Sequence, residues 1–142
     1  VVEVQAMTDE APPARPVEEM AYCLLRFAHG AHASVIAGTL MPRHDNDVLL
    51  YGSKAKITCK GTLGVPRAGE PGLFSIEGDA VNARVDYPTD SSASKMARFI
   101  EDFSRAVAGN AAIGSSGENG LQMVRIALAL QASSRQGRLM KV

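Results

Sequence analysis

The segment from residue 19 to residue 41, EMAYCLLRFAHGAHASVIAGTLM, decides the fold because it places two long apolar runs on either side of a His-Gly pair. We predict two strands here, Glu19–Ala28 and Ala31–Met41, joined by a hairpin turn at His29-Gly30. Glycine tolerates the positive φ that a two-residue turn requires. The segment therefore predicts an antiparallel strand pair.

A two-residue turn also fixes the register of the pair, and with it the face of the sheet to which each side chain belongs. If Ala28 lies opposite Ala31, one face carries Tyr22, Leu24, Arg26, Ala33, Val35 and Ala37. The other face carries Cys23, Leu25, Phe27, His32, Ser34 and Ile36. Both faces are largely apolar, whereas a sheet with one wet face alternates cleanly. We assign the second set to the helix side and expect the first set to contact another domain or another subunit. Contact with another subunit is the favoured interpretation and predicts a homo-oligomer such as a dimer.

The remaining strands are predicted at the two ends of the chain and in two further hairpins. They are Val1–Met7, then Asn46–Tyr51 and Ala55–Cys59 around Gly52-Ser53, then Leu73–Glu77 and Ala80–Tyr87 around Gly78-Asp79, and finally Arg138–Val142.

Two helices are predicted where the apolar period changes, over residues 91–108 and 117–136. Asp90 and Gly109 are the expected caps of the first helix. Ser115 and Glu118 have capping-box spacing at the start of the second, and Gly137 ends it. The first helix has an apolar stripe formed by Met96, Phe99, Ile100, Phe103 and Val107.

Strands followed by helices predict an α+β fold. We expect an open antiparallel sheet with two helices packed on one face and the other face available for oligomerisation. Residues 1–142 are expected to form a single domain.

Composition excludes several classes of function. Fifteen basic and fifteen acidic residues give a formal net charge of zero, and no Lys/Arg cluster stands out, so neither DNA nor RNA is an expected partner. No apolar run approaches the length of a membrane span, so no membrane association is expected. Cys23 and Cys59 form no CxxC pair and no metal-ligand spacing with the three histidines. We interpret them as reduced core thiols of a cytoplasmic protein without a metal site.

Three stretches together resemble the C-terminal domain of the glucose-fructose oxidoreductase, inositol dehydrogenase and rhizopine-catabolism (Gfo/Idh/MocA) family. They are LLRFAHGAHASV at 24–35, VLLYGSKAKI at 48–57 and SSGENGLQMVRIALALQASSRQGRLMK at 115–141. The third stretch, with Ser-Gly-Glu-x-Gly opening a helix, is the most specific. The sequence departs from the family at Ala55, where glycine is usual, and at Ala111-Ala112, where proline is often found.

The resemblance implies one half of an NAD(P)-dependent oxidoreductase that acts on a sugar, polyol or related hydroxy compound. In the family an N-terminal Rossmann domain binds NAD or NADP, and the catalytic residues precede the C-terminal domain. This chain has neither a strand-GxGxxG-helix unit nor a Glu-Lys-Pro motif. We therefore expect it to bind no cofactor, to carry no catalytic residue and to be inactive alone. Its implied role is to shape the substrate pocket and the subunit interface.

The segment Met41-Pro42-Arg43-His44-Asp45 is the candidate substrate-binding region, because it sets a cation, a titratable ring and a carboxylate side by side after a core strand. An ordinary solvated loop is the alternative. Two other functions stay open: a standalone oligomerisation or small-molecule-binding module of the same fold, and a self-contained enzyme using Arg43, His44 and Asp45. The second of these lacks any nucleophile motif. The chain begins with Val1 rather than Met, which suggests a piece of a longer protein.

Overall fold

The computed structural model describes residues 1–9, 14, 17–41, 46–61, 72–87, 92–109 and 113–142. These residues form two four-stranded antiparallel sheets and two helices. The predicted open, antiparallel α+β fold is confirmed, but the strands form two sheets and not the one sheet that was predicted. In chain order the elements are β1 (Glu3–Thr8), β2 (Met20–Arg26), β3 (His32–Gly38), β4 (Val48–Tyr51), β5 (Ala55–Lys60), β6 (Gly72–Gly78), β7 (Asn82–Tyr87), α1 (Ser92–Val107), α2 (Gly117–Gln136) and β8 (Met140–Lys141).

The chain divides into two compact units. The first unit comprises Val1–Pro42 and Ser115–Val142, and the second comprises Arg43–Gly114. Among the described residues, no helix combines the length and the apolar character needed to cross a lipid bilayer.

The first unit is a sheet of order β3-β2-β1-β8 with α2 packed against β1. Small side chains allow the helix to lie close to the sheet, because Ala129 and Ser133 are one helical turn apart and both are buried. Beneath them Val4, Ala6 and Cys23 form the buried apolar core of this unit. One face of the sheet is therefore covered by α2.

Two serine hydroxyls of α2 complete the hydrogen bonding of β1 where its partner strand ends. β8 pairs only with Glu3 and Val4, so the next N–H groups on that edge of β1 need other acceptors. The N–H of Ala6 donates to Ser133 Oγ at 3.0 Å, and the N–H of Thr8 donates to Ser134 Oγ at 3.1 Å. Ser133 Oγ also donates to the carbonyl of Arg138 at 2.6 Å. The first strand, the last helix and the turn into β8 are thus held together by adjacent side chains.

The β2–β3 hairpin is confirmed, but its predicted register was wrong by one residue. The loop has three residues, because Phe27 N donates to Ala31 O at 2.9 Å and Gly30 N donates to Phe27 O at 3.0 Å. Gly30 has φ +92°, which supplies the left-handed conformation that a three-residue loop requires in its last position. The extra loop residue moves every side chain of β3 to the opposite face from that predicted.

The second unit contains a meander of order β4-β5-β6-β7. Both predicted hairpins are confirmed, with turns one residue later than expected. Gly52 N donates to Ala55 O and Gly78 N to Val81 O, each at 2.9 Å, so the turn residues are Ser53-Lys54 and Asp79-Ala80. The registers place most polar side chains of β5, β6 and β7 on one face, which also carries the apolar residues Leu49, Tyr51 and Leu73. The apolar face carries Ile57, Cys59, Phe74, Ile76 and Val85, and the polar face carries Lys56, Thr58, Lys60, Ser75, Glu77 and Arg84.

Both helices lie where the sequence predicts them. α1 ends before Gly109, which has φ +75° as expected for the residue after a helix. Its apolar stripe is exposed over more than half of each side chain from Met96 to Val107. The predicted cap Asp90 lies outside the described residues. α2 ends on Gly137 in the left-handed region, as predicted.

The N-cap of α2 is Ser116 rather than the predicted Ser115. The Ser116 hydroxyl accepts from the N–H of Asn119 at 3.3 Å, so the capping contact is shifted by one residue. A hydrogen bond with Ser116 also lowers the pKa of the Glu118 carboxyl, as does a backbone hydrogen bond. Glu118 lies in the first turn, where negative charge is favoured by the helix dipole.

We predict that Ser133→Ala destabilises the protein by about 1–3 kcal/mol, because the buried N–H of Ala6 and carbonyl of Arg138 both lose a partner. Urea unfolding measures this change as a shift in midpoint at constant slope. Ser104→Ala is the matched control, since the exposed Ser104 hydroxyl donates to the carbonyl of Ile100 within α1. Equal midpoints for the two variants would contradict the assignment.

We predict that Ser116→Ala costs about 1 kcal/mol of stability through loss of the cap. The same change should raise the pKa of Glu118 toward its ordinary value, measured by NMR titration. Because the folded pKa of Glu118 is lowered, its stabilising effect is present above the unfolded pKa and is lost as the pH falls through the folded value. Ser115→Ala is the control and should alter neither property.

Candidate functional site

The uncovered face of the first unit's sheet is the most distinctive surface among the described residues. Strand pairing sets its side chains in three rows that cross β1, β2 and β3. The rows are Met7–Tyr22–Ile36, Gln5–Leu24–Ser34 and Glu3–Arg26–His32. The face therefore changes from apolar at one end to charged at the other, and it is called the open face below.

The apolar side chains of the open face are largely exposed. Met7 is 72% exposed and Ile36 62% exposed, and Tyr22 and Leu24 are each more than half exposed. A shallow groove of about 310 Å³ lies between them, with Gln5 and Ser34 as its polar lining. Contiguous exposed apolar side chains with a polar rim are typical of surfaces that contact another protein.

An ion pair closes the charged end of the open face. Arg26 Nη2 lies 2.6 Å from Glu3 Oε2, and Arg26 Nε donates to the same oxygen at 2.9 Å. The Glu3 side chain is 19% exposed and that of Arg26 46%. The pair neutralises both charges, so this end of the face presents a fixed polar edge.

The opposite face of the same sheet is the covered one. Cys23 lies there beside Val4 and Ala6, and burial raises the pKa of its thiol. A thiol with a raised pKa is a poor nucleophile at neutral pH. Cys23 is therefore a packing residue, and Cys59 is likewise a free cysteine.

The six predicted interface residues do not share a face. Tyr22, Leu24 and Arg26 lie on the open face, whereas their partners in the predicted set lie on the covered one. Those partners are Ala33, Val35 and Ala37. The physical reason is the third loop residue, which also places His32 on the open face and not on the helix side. His29 lies in the loop, is exposed, and has its ring 5.7 Å from that of Phe27.

Sequence reasoning missed Met7 and Ile36, the two most exposed apolar residues of the open face. Met7 was missed because no partner was assigned to the first strand. Ile36 was missed because of the register. The available signal was the histidine in the first turn position, which two-residue turns rarely accept, with glycine in the position that a three-residue loop requires.

The predicted substrate-binding residues Arg43, His44 and Asp45 lie outside the described residues. Among the residues that are described, no group of three metal-binding side chains is close enough to hold an ion. Gly117 and Gly120 lie in the first turns of α2. The cap residue before them, Ser116, does not belong to a strand. These glycines therefore do not form the strand-to-helix turn that holds a dinucleotide.

Comparison with protein families gives a match over the whole chain. The family model described as "Oxidoreductase family, C-terminal alpha/beta domain" matches residues 1–142. A search of curated protein sequences gave no match.

Solved structures share the fold at low sequence identity. The chain is similar to an oxidoreductase from Agrobacterium radiobacter in complex with NAD+, L-tartaric acid and magnesium, with TM-score 0.77, 16% identity, and coverage of 99% of this chain and 43% of that one. It is similar to an oxidoreductase domain protein from Kribbella flavida, with TM-score 0.75, 16% identity, and coverage of 99% and 46%.

A third similar structure is the WlbA dehydrogenase from Bordetella pertussis in complex with NADH and UDP-GlcNAcA. Its TM-score is 0.69 and its identity 16%, with coverage of 100% of this chain and 40% of that chain. The chain thus spans less than half the length of each of these structures.

Proposed function

The chain belongs to the Gfo/Idh/MocA oxidoreductase family as a C-terminal alpha/beta domain, and on this premise we propose that it shapes the substrate pocket and forms the subunit contact of an NAD(P)-dependent enzyme. The substrate is a sugar, polyol or related hydroxy compound. NAD or NADP is held by an N-terminal Rossmann domain of the parent protein, and this chain supplies no catalytic residue. A cytoplasmic location belongs to the same proposal, since both cysteines are free thiols.

The similar structures support the substrate class. Two of them hold a nicotinamide cofactor together with a hydroxylated molecule, UDP-GlcNAcA in one and L-tartaric acid in the other. The share of those chains that this chain covers leaves room for a cofactor domain. Hydride transfer takes place beside the nicotinamide, so the role of the present chain is to position the hydroxyl-bearing carbon and exclude water.

The observation that carries the subunit contact is the exposed apolar row Met7–Tyr22–Ile36 with Leu24 beside it. Full burial of each such side chain contributes about 1.5–3 kcal/mol, whereas an exposed ion pair such as Glu3–Arg26 contributes about 0–1 kcal/mol. The apolar row therefore decides the affinity, and the charged row fixes orientation. A second copy of the chain presents the same row, which favours a symmetric homodimer.

The substrate contact is assigned to Arg43, His44 and Asp45 on their chemistry. A guanidinium binds a carboxylate through two parallel hydrogen bonds, and a histidine beside an aspartate can hydrogen-bond to hydroxyl groups. Tartaric acid carries both kinds of group. These residues bind substrate in this proposal and take no part in hydride transfer.

We predict that Ile36→Lys dissociates the oligomer, because it places an unpaired charge in the contact. The dissociation constant should rise by about 100-fold or more, since burying an unpaired charge costs several kcal/mol. Val35→Lys is the matched control: Val35 is adjacent in sequence, 43% exposed, and on the opposite face. Sedimentation equilibrium measures the mass of each, and urea unfolding establishes that both variants are folded.

Three results would contradict this prediction. One is a wild-type protein that sediments as a single chain at micromolar concentration. Another is an Ile36→Lys variant that keeps the wild-type mass. The third is dissociation by Val35→Lys alone, which would favour the register predicted from the sequence.

We predict that Arg43→Ala in the complete enzyme raises KM for an acidic hydroxylated substrate by about tenfold or more, with little change in kcat, because uniform binding is lost. Initial rates with NAD and with NADP over a panel of sugars, polyols and hydroxy acids provide the measurement. Arg135→Ala, an exposed change in the last turn of α2, is the control. An unchanged KM in Arg43→Ala would remove Arg43 from the substrate site.

A further inference from the structure

The helix α2 covers its face of the first unit's sheet over part of the width of that sheet. It packs chiefly against β1 and β8. In the row Ala6–Cys23–Val35, which crosses β1, β2 and β3 on this face, the exposed fraction rises from 5% to 8% to 43%. The cover that α2 provides therefore ends between β2 and β3.

The side chains of β2 and β3 on this face are all apolar. A sheet face that stays in water normally carries polar residues. Here none of the six side chains has a charge, a hydroxyl or an amide, although Val35 and Ala37 are exposed. This surface, called the β2–β3 strip below, consists of three opposed pairs: Ala21 with Ala37, Cys23 with Val35, and Leu25 with Ala33. The strip has the composition of a buried surface.

The dimensions of the β2–β3 strip match one further α-helix. Neighbouring strands lie about 4.8 Å apart, so two strands span about 10 Å, which is the diameter of a helix. The seven residues of β3 extend over about 23 Å, the length of a helix of about 15 residues. Alanine side chains at 21, 33 and 37 allow a helix to approach the strands closely, as Ala129 and Ser133 allow α2 to approach β1.

The flank of α2 nearer to the β2–β3 strip is also apolar and exposed. Ser134 marks the other flank, because its hydroxyl accepts from the N–H of Thr8 on the edge of β1 that faces β8. At 100° per residue, Leu121 and Leu128 lie on the side of the helix opposite Ser134. They are 52% and 60% exposed. The strip thus has an apolar floor and an apolar side wall.

We propose that the β2–β3 strip binds an amphipathic helix from the N-terminal part of the parent protein. The inference rests on the proposed function, since that function supplies an N-terminal domain. This chain covers 40%, 43% and 46% of the three similar structures, so each of them has more than half of its length to supply such a helix. The apolar stripe of the helix contacts the strip and the two leucines of α2, and its polar side faces solvent.

A second copy of the chain is the less favoured occupant of the β2–β3 strip. In the proposed function the second copy already covers the open face. Contacts between copies through both faces of one sheet would extend the assembly beyond a dimer. A helix of the same parent protein is linked covalently to the strip, so its effective concentration is high without any such extension.

Thiol labelling of Ala37→Cys tests the proposal, because Ala37 is an exposed residue of the β2–β3 strip. The labelling rate with a maleimide is measured in the complete enzyme and in the present chain alone. Peptide mass spectrometry reads the native cysteines separately. We expect labelling about tenfold or more slower in the complete enzyme, because the helix buries the strip. His29→Cys, in the exposed β2–β3 loop, is the control and should react equally in both proteins.

A second variant shows whether the protection comes from apolar contact at the strip. Val35→Lys places a charge on the floor of the strip, so in the complete enzyme it should return the labelling of Ala37→Cys to the rate in the present chain. Urea unfolding establishes that the double variant is folded.

Four outcomes would overturn the proposal. The first is equal labelling of Ala37→Cys in the two proteins, and the second is slow labelling in the complete enzyme that Val35→Lys leaves unchanged. The third is slow labelling in the present chain at every concentration, which assigns the cover to this chain itself. The fourth is labelling that slows as the concentration of the present chain rises, which assigns it to a second copy. Failure of the proposed function is read separately, as an Ile36→Lys variant with the wild-type mass or as absent NAD(P)-dependent turnover.

Discussion

The hydrogen bonds from Ala6 and Thr8 to two adjacent serines of α2 are the constraint on which the first unit depends. β8 is too short to satisfy that edge of β1, so the edge is satisfied by side chains of the helix. The helix must then lie across the same face as Val4 and Ala6, where only small residues such as Ala129 and Ser133 fit. Because α2 covers this face, the side chains of the opposite face stay exposed, among them Met7, Tyr22, Leu24 and Ile36. The helix contact and the open face are consequences of one arrangement.

Much of the fold could be predicted from the sequence because its signals are local. Apolar periodicity predicted both helices, and the bounds of α2 agree with the prediction. Each hairpin was predicted from a glycine between two apolar runs. The recognised family is also confirmed, because its model matches residues 1–142, and the SGENG segment at 116–120 opens α2 as predicted. These features need only a few neighbouring residues to specify them.

The parts that could not be predicted depend on single-residue choices or on distant contacts. The loop Ala28-His29-Gly30 has three residues and not the predicted two, and this difference changes the face of every side chain on β3. Two-residue and three-residue loops nevertheless have nearly the same sequence signal. The role of Ser133 depends on a strand 127 positions earlier in the chain, so no local pattern could identify it. Because of the register error, the side chains of the open face were predicted correctly on β2 and wrongly on β3. The substrate residues Arg43, His44 and Asp45 remain a prediction.

The two units have sheet faces of different chemistry. In the first unit the uncovered sheet face is apolar with a paired ion at one end, which suits a second copy of the chain. In the second unit one face of the sheet carries the charged side chains Lys56, Lys60, Glu77 and Arg84.

We propose above that the open face of the first unit is buried against another copy of the chain. Oxidation of Met7 by dilute peroxide tests it most directly, because Met7 is the most exposed apolar side chain of that face and its sulfoxide is readily quantified. We predict that the oxidation rate of Met7 falls as protein concentration rises, while the rate for Met123, exposed on α2, stays constant. Oxidation of Met7 as fast as that of Met123 at every concentration would contradict burial of the open face.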